Sequence, residues 1–325
     1  MKKNIKWGIL ATGGIAHKFA HHFQRLSHTE IIAVGSRSLL RAKKFATEFN
    51  IPRAYGSYEA LVEDKDIDAI YVATPHNLHK DNTLMALNAG KAVLCEKPLA
   101  LNQKEVLQMQ KIAIQKKLLL MEALWARFNP SIVKVRELLK KNIIGRVVFI
   151  RADFSFFREF NPEHRLFNLN LGGGALLDIR VYCLNLVQMI LGKPLSIDGK
   201  ALIGKTGSDE SNAVTLTFKD ALAQITSSVR YEGDREALIV GTKGRIILKQ
   251  MWHRSLHLVI KTDKTKEIIF TDTDYGLNYE TEHFNELIRK HVLDSPIMPL
   301  KDSLEVMHIM DTLRDKWGII YPSER

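Results

Sequence analysis

The chain has 325 residues, 46% of them apolar and 26% charged, which excludes disorder and collagen-like repeats and leaves room for about two domains. Lysine and arginine outnumber the acids by 47 to 36, a formal charge of +11. No run of like charges, zinc-finger spacing or RNA-recognition signature accompanies the excess, so an anionic small molecule is a more economical partner than nucleic acid.

Strands and helices alternate through the first 122 residues. Ile5–Leu10 reads as a strand, followed by Ile15, Phe19, Phe23 and Leu26 at helical spacing. Ile31–Gly35 is a second strand, and Leu40, Phe45 and Phe49 mark the next helix. A short strand near Ala54–Tyr55 and the compact run Ala69–Ala73 come next, then a helix ending at Gly90. Strand Ala92–Cys95, a helix from Asn102 to about Gln115 and strand Leu118–Met121 complete the series. This alternation predicts a parallel sheet covered by helices on both faces. After Glu122 the pattern changes: a helix from Pro130 to Lys141, a one-face-exposed strand Val147–Phe156 and a helix opened by Gly172–Gly174. Strands separated by turns at Lys219-Asp220, Glu232-Gly233-Asp234, Lys243-Gly244 and Lys261–Thr265 then predict a mostly antiparallel sheet. Two helices close the chain, Tyr279–Leu293 and Ser303–Trp317. The expected domains are residues 1–122 and 123–325, with the last helices able to pack back on the first.

No uncharged apolar run approaches the roughly 18 residues of a membrane span. The apolar Trp7–Ala16 behind a basic start carries three glycines and no convincing cleavage site, so it is not read as a signal peptide. Cys95 and Cys183 stand far apart, form no disulfide framework, and fit a reducing, cytoplasmic compartment.

Three motifs carry chemistry. The first is Gly8-Ile9-Leu10-Ala11-Thr12-Gly13-Gly14-Ile15-Ala16, where a strand passes into a helix. Such a turn presents backbone N–H groups to a pyrophosphate, although the bland alternative is a tight turn of any α/β protein. Ala11 stands at the first glycine position of the dinucleotide pattern, which leads us to expect a less demanding backbone there. The acid that would bind an adenine ribose 2′-hydroxyl is missing: after Glu30 none occurs before Glu48, and the second strand ends in Ser36-Arg37-Ser38. Serine and arginine suit a 2′-phosphate, favouring NADP over NAD, with NAD possible.

The second motif, Glu96-Lys97-Pro98, follows the buried strand Ala92–Cys95 at its carboxyl end, where ligands of parallel sheets bind. A lysine there can stabilise charge on a reacting oxygen, or simply close the strand with an ion pair. Pro98 is a candidate for a cis bond. In the third motif, Gly172-Gly173-Gly174 precedes Asp178 and Tyr182, which share a helix face. The tyrosine can move a proton with aspartate support, or the pair is a helix cap and a core ring.

Together with Thr74-Pro75-His76-Asn77-Leu78-His79 and Glu122-Ala123-Leu124-Trp125-Ala126-Arg127-Phe128, these motifs occur in an order that resembles the Gfo/Idh/MocA oxidoreductase family, most of all its dimeric dihydrodiol dehydrogenase branch. The resemblance implies a Rossmann domain followed by an α+β domain with a large open sheet, often a homodimer interface. It implies reversible hydride transfer between a carbinol or carbonyl carbon and nicotinamide C4, with Lys97 and Tyr182 catalytic and Asp178 supporting them. It puts Ala11, Thr12, Gly13, Gly14, Ile15, Ser36, Arg37, Thr74, Pro75, His76, Glu96 and Lys97 at the cofactor, with His79 turned towards it. Trp125, Arg127, Phe154 and Tyr279 would line the substrate pocket, Trp252 being better read as core. Arg180 and Cys183 depart from the family pattern, and Arg180 points either into the pocket, favouring an anionic substrate, or away from it. No metal is implied, and no membrane or nucleic-acid partner is expected. The substrate stays open among sugars, inositols, dihydrodiols and dicarbonyls. The rival reading is a non-catalytic NADP(H) sensor of the same fold.

Overall fold

The computed structural model describes residues 3–271 and 276–324. The chain divides into two compact units, Met1–Trp125 with Gly276–Ser303, and Ala126–Tyr275 with Leu304–Arg325.

The first unit alternates β1 (Ile5–Leu10), α1 (Gly14–Phe23), β2 (Thr29–Gly35), α2 (Leu39–Phe49), β3 (Arg53–Tyr55), α3 (Tyr58–Val62), β4 (Ala69–Val72), α4 (His79–Asn88), β5 (Ala92–Glu96), α5 (Gln103–Lys116) and β6 (Leu120–Ala123). All six strands are parallel, in the order β3-β2-β1-β4-β5-β6. The order reverses beside β1, so a crevice opens at the carboxyl ends of β1 and β4. Both faces are covered, and β4 and β5 are buried throughout. That explains their continuous apolar runs. Strand β6 begins two residues later than its pattern predicts. Lys117 adopts φ 53° at the end of α5 and the Leu118 amide donates to Ala113 O. Closing the helix therefore consumes the first residues of the apolar run.

In the second unit, α6 (Pro130–Lys140) and β7 (Val147–Ser155) precede α7 (Val181–Leu191). Strands β8 (Ser196–Ile203), β9 (Asp209–Thr217), β10 (Leu222–Ser228), β11 (Ala237–Gly241), β12 (Gly244–Leu248), β13 (His257–Lys261) and β14 (Thr265–Ile269) follow. The eight strands run β14-β13-β12-β11-β7-β10-β9-β8, antiparallel except where β7 meets β10. Ile150, Ala152, Val214, Leu216, Ala223 and Ile225 point to the buried face, on which α7 packs. Arg151, Thr215, Gln224 and Thr226 alternate onto the other face and line a broad groove there. Strand β8 escapes sequence reading because it is an edge strand without a buried apolar row.

Helix α8 (Leu277–Arg289) belongs to the first unit, and α9 (Leu300–Trp317) begins in the first and continues in the second. The helical run Leu169–Leu191 is long and apolar enough to cross a membrane by length and composition, but 83% of its apolar window is buried inside the protein.

Candidate active site

Helix α1 begins at the crevice with no acid in its first turn and no side chain capping it, so its first N–H groups lack the partners that helix starts require. Gly13 has an ordinary extended backbone, and a Cβ added at Gly13 or Gly14 would meet nothing within 4 Å. The protein's own packing therefore does not demand glycine here. Space and unpaired donors together make a seat for an anion at the positive end of a helix. Ala11 does not relax the turn as expected: it sits at φ 96° with its amide on Gly35 O. A side chain rarely adopts that conformation, and holding it costs about 1–3 kcal/mol.

Ser36 and Arg37 follow β2 at the same edge. The Ser36 amide donates to Tyr55 O, and its hydroxyl oxygen accepts from the Ser38 amide at 3.3 Å. Arg37 is exposed, and Glu48, the first acid after Glu30, faces His17 at 3.4 Å. Thr74 follows β4, where the Ala73 amide donates to Leu10 O and sets this loop beside the cradle. Pro75 and His76 extend the loop, Pro75 exposed and His76 half-buried.

His79 is fully buried, with Nδ1 2.8 Å from Pro98 O and Nε2 2.9 Å from Thr74 O. Its ring clamps these two loops together. Burial lowers its pKa to about 4, against the two carbonyls that favour its charged form. The ring is therefore neutral at pH 7 and can donate to only one of them.

Lys97 is half-buried just past β5, and the Lys97–Pro98 bond is cis. The Glu96 carboxylate turns inward. Oε1 accepts from the Tyr71 hydroxyl and Oε2 from the Lys97 amide. Glu122, at the neighbouring strand end, accepts from the Leu99 amide at 3.1 Å and the Ser303 hydroxyl at 2.6 Å. A carboxylate thus grips the backbone on each side of the lysine turn. Trp125 (buried) and Tyr279 (half-buried) also belong to this unit.

In the second unit, the chain enters its central helix through Gly174, at φ 126°. A Cβ there would lie 2.3 Å from Asp209 Oδ1. Buried Asp209 accepts from the Leu176 amide at 2.8 Å and from Asn212 Nδ2 at 2.5 Å, and burial raises its pKa to about 7. Residues Leu176–Arg180 are wound as a π-helix before α7 starts, a local widening common at functional sites. Asp178 lies in that turn and accepts from Arg165 Nη1 at 2.5 Å. Arg180 points into the sheet. It is fully buried and donates to Ile225 O at 3.2 Å and Asn212 O at 2.6 Å on the sheet, with burial lowering its pKa to about 10.

Tyr182 and Phe154 meet with ring centroids 5.4 Å apart. His253, which sequence reading missed, stacks on Phe154 at 4.3 Å and lies 5.5 Å from Tyr182. Its neighbour Trp252 is core, donating from Nε1 to Asp153 O. The Asn129 side chain donates to His253 O at 2.8 Å, holding the segment in place. Arg127, expected at the substrate, is buried and donates from Nη2 to Gln188 Oε1 at 2.8 Å, tying the start of this unit to α7. Of the residues singled out from sequence, the second unit therefore brings Phe154 and Tyr182 together, while Lys97 and the cradle lie in the first.

Residues 5–124 match the model of an oxidoreductase family with an NAD-binding Rossmann fold, and residues 132–247 match the GFO/IDH/MocA C-terminal domain. The chain is 39% identical over 329 residues to trans-1,2-dihydrobenzene-1,2-diol dehydrogenase of Xenopus tropicalis, covering 98% of this chain and 99% of that protein. It is 39% identical over 333 residues to the protein of the same name from Danio rerio, with coverage of 98% and 99%. A 3-ketoreductase from Actinomadura kijaniata, crystallised with NADP and TDP-benzene, has a similar structure: TM-score 0.87 and 26% identity, covering 96% of this chain and 98% of that one.

Proposed function

Because the chain belongs to the Gfo/Idh/MocA oxidoreductase family and is an NAD(P)-dependent dehydrogenase/reductase, we propose that Lys97 and Tyr182 handle the proton in a reversible, NADP(H)-dependent hydride transfer. The substrate in this reading is a small polyhydroxy or dihydrodiol-type molecule, reacting at one carbinol or carbonyl carbon. The observation that carries it is the uncapped, acid-free start of α1 at the sheet edge that also bears Lys97. The residues fit the cofactor: Ala11–Ile15 would hold the pyrophosphate, Ser36 and Arg37 the 2′-phosphate, and Thr74–His76 the flank of the crevice. When bound, the nicotinamide supplies hydride chemistry at C4. In oxidation Tyr182 takes the hydroxyl proton, and the Lys97 ammonium favours the phenolate that makes this possible. In reduction Tyr182 returns the proton to the carbonyl oxygen. Asp178 orients the helix turn that carries Tyr182, and Phe154, Trp125 and Tyr279 give apolar walls to the substrate.

NADP is preferred over NAD because no acid stands at the end of β2, and the ketoreductase crystallised with NADP agrees with this. The diol dehydrogenase relatives favour a vicinal diol. The groove-bearing face of the second sheet, with Leu222 exposed on β10 and Leu202 on the edge strand β8, suits a homodimer. A cytoplasmic location agrees with the two buried free cysteines. The reading requires neither a membrane nor a nucleic-acid partner.

The test is NADPH oxidation and NADP reduction against a panel of diols, ketoses and aldehydes. Lys97→Met and Tyr182→Phe should each lose about 100-fold or more in turnover, while NADPH fluorescence titration shows binding retained. Full turnover in both variants would refute the assignment.

A further inference from the structure

Helix α8 buries Leu277, Thr281, Phe284 and Leu287 on one face, and Glu280 falls on that same face. Its side chain is completely buried, and no described residue hydrogen-bonds to either carboxyl oxygen. A buried polar group without partners requires an explanation. Its charged or titratable neighbours are Glu96 at the end of β5, Glu122 on β6 and Tyr71 on β4. Helix α1, which carries the buried His22, also packs on α8.

Two of these three carboxyl groups are already committed as acceptors. Glu96 takes the Tyr71 hydroxyl and the Lys97 amide, and Glu122 takes the Leu99 amide and the Ser303 hydroxyl. Three carboxylates cannot all ionise in one dry space. We propose that Glu280 is a positioning residue for Lys97: it is the member that carries the proton, which lets Glu96 and Glu122 remain anionic and hold the amides on either side of the lysine. Burial and both neighbouring carboxylates push the Glu280 pKa the same way, well above the usual carboxylate range. Removing its proton at alkaline pH adds a third negative charge and loosens the grip on the turn. The inference rests on Lys97 acting in the reaction.

The experiment uses the full chain with Glu280→Gln, Glu280→Leu and, as control, Lys97→Met. Glutamine keeps a donor and cannot ionise, whereas leucine keeps the bulk alone. Glu280→Leu should lower kcat about tenfold while KM for NADPH moves less than roughly twofold. Glu280→Gln should recover most of that loss at neutral pH and flatten the alkaline fall of kcat. Two further readouts need no turnover. Infrared spectra of the folded wild type should show a carbonyl stretch of a protonated buried acid that Glu280→Gln removes and that Asp209→Asn, which removes only the second buried acid with a raised pKa, leaves in place. In urea melts, wild-type stability should fall relative to Glu280→Gln as pH rises above the ordinary carboxylate range, because only the folded state keeps this proton. Superimposable pH profiles and spectra for wild type and Glu280→Gln would overturn the proposal, as would a Glu280→Leu protein that loses stability alone. An active Lys97→Met would show that the premise about the lysine has failed, and the inference would fall with it.

Discussion

In the first unit, Ala11, Ser36, Thr74 and Lys97 each follow the end of a parallel strand, so strand register alone brings them to one edge. In the second unit, Tyr182 projects from a helix whose entry depends on Gly174, a π-turn and the buried groups Asp209, Asn212 and Arg180. The first arrangement is drawn by backbone hydrogen bonding and the second by side-chain packing. The first should tolerate substitutions that keep the sheet, and the second should fail at single side chains beneath the helix.

The comparison can be broken most strongly with pH, because Asp209 in the second unit and His79 in the first have their pKa values moved in opposite directions by burial. Asp209 has its pKa raised from 3.8 to about 7 on folding. Its folded state binds a proton that the unfolded chain releases, so stability is greatest below 3.8 and falls by roughly 4 kcal/mol as pH rises to 7. His79 has its pKa lowered from 6.5 to about 4. There the unfolded chain binds the extra proton, so stability is complete above 6.5 and falls by roughly 3 kcal/mol as pH drops to 4. Urea melts from pH 4 to 7 should lose the first slope in Asp209→Asn and the second in His79→Gln. If either variant keeps the wild-type slope, that group is not held as described.

Next in size is Gly174→Ala. The added Cβ would lie against Asp209 Oδ1 at a backbone angle that disfavours any side chain. A loss of roughly 2–3 kcal/mol should appear in thermal unfolding. Unchanged stability would mean that the helix entry is looser than drawn. The smallest effect sharpens the comparison through an exposed side chain of the first unit. Arg37→Ala should raise KM for NADPH about tenfold and leave KM for NADH nearly unchanged, the loss of one charge-assisted contact. Equal effects on both cofactors would remove the 2′-phosphate reading.

How much of this was legible follows the same division. β1, the cradle, Glu96-Lys97-Pro98 and the change of pattern after Glu122 are visible because buried parallel strands are continuous apolar runs and phosphate turns need small residues. Asp178 and Tyr182 are visible through their spacing behind the three glycines. The inward turn of Glu96 was not legible: alternation sends it to one face of β5 but does not say that Tyr71 waits there. Glu280 left one unread signal, an acid within the apolar stripe Leu277, Thr281, Phe284 and Leu287. His253 left only its place beside Trp252.

Local rules, then, were sufficient for what depends on neighbours in the chain: the alternation of elements, the acid-free end of β2, the glycines before a helix and the type of chemistry the residues can support. The orientation of His79, the route of Arg180 into the sheet and the partners of Glu96 were decided only when distant segments packed. A buried polar side chain must turn towards whatever hydrogen-bonding group the fold brings to it, and that group can lie anywhere in the sequence.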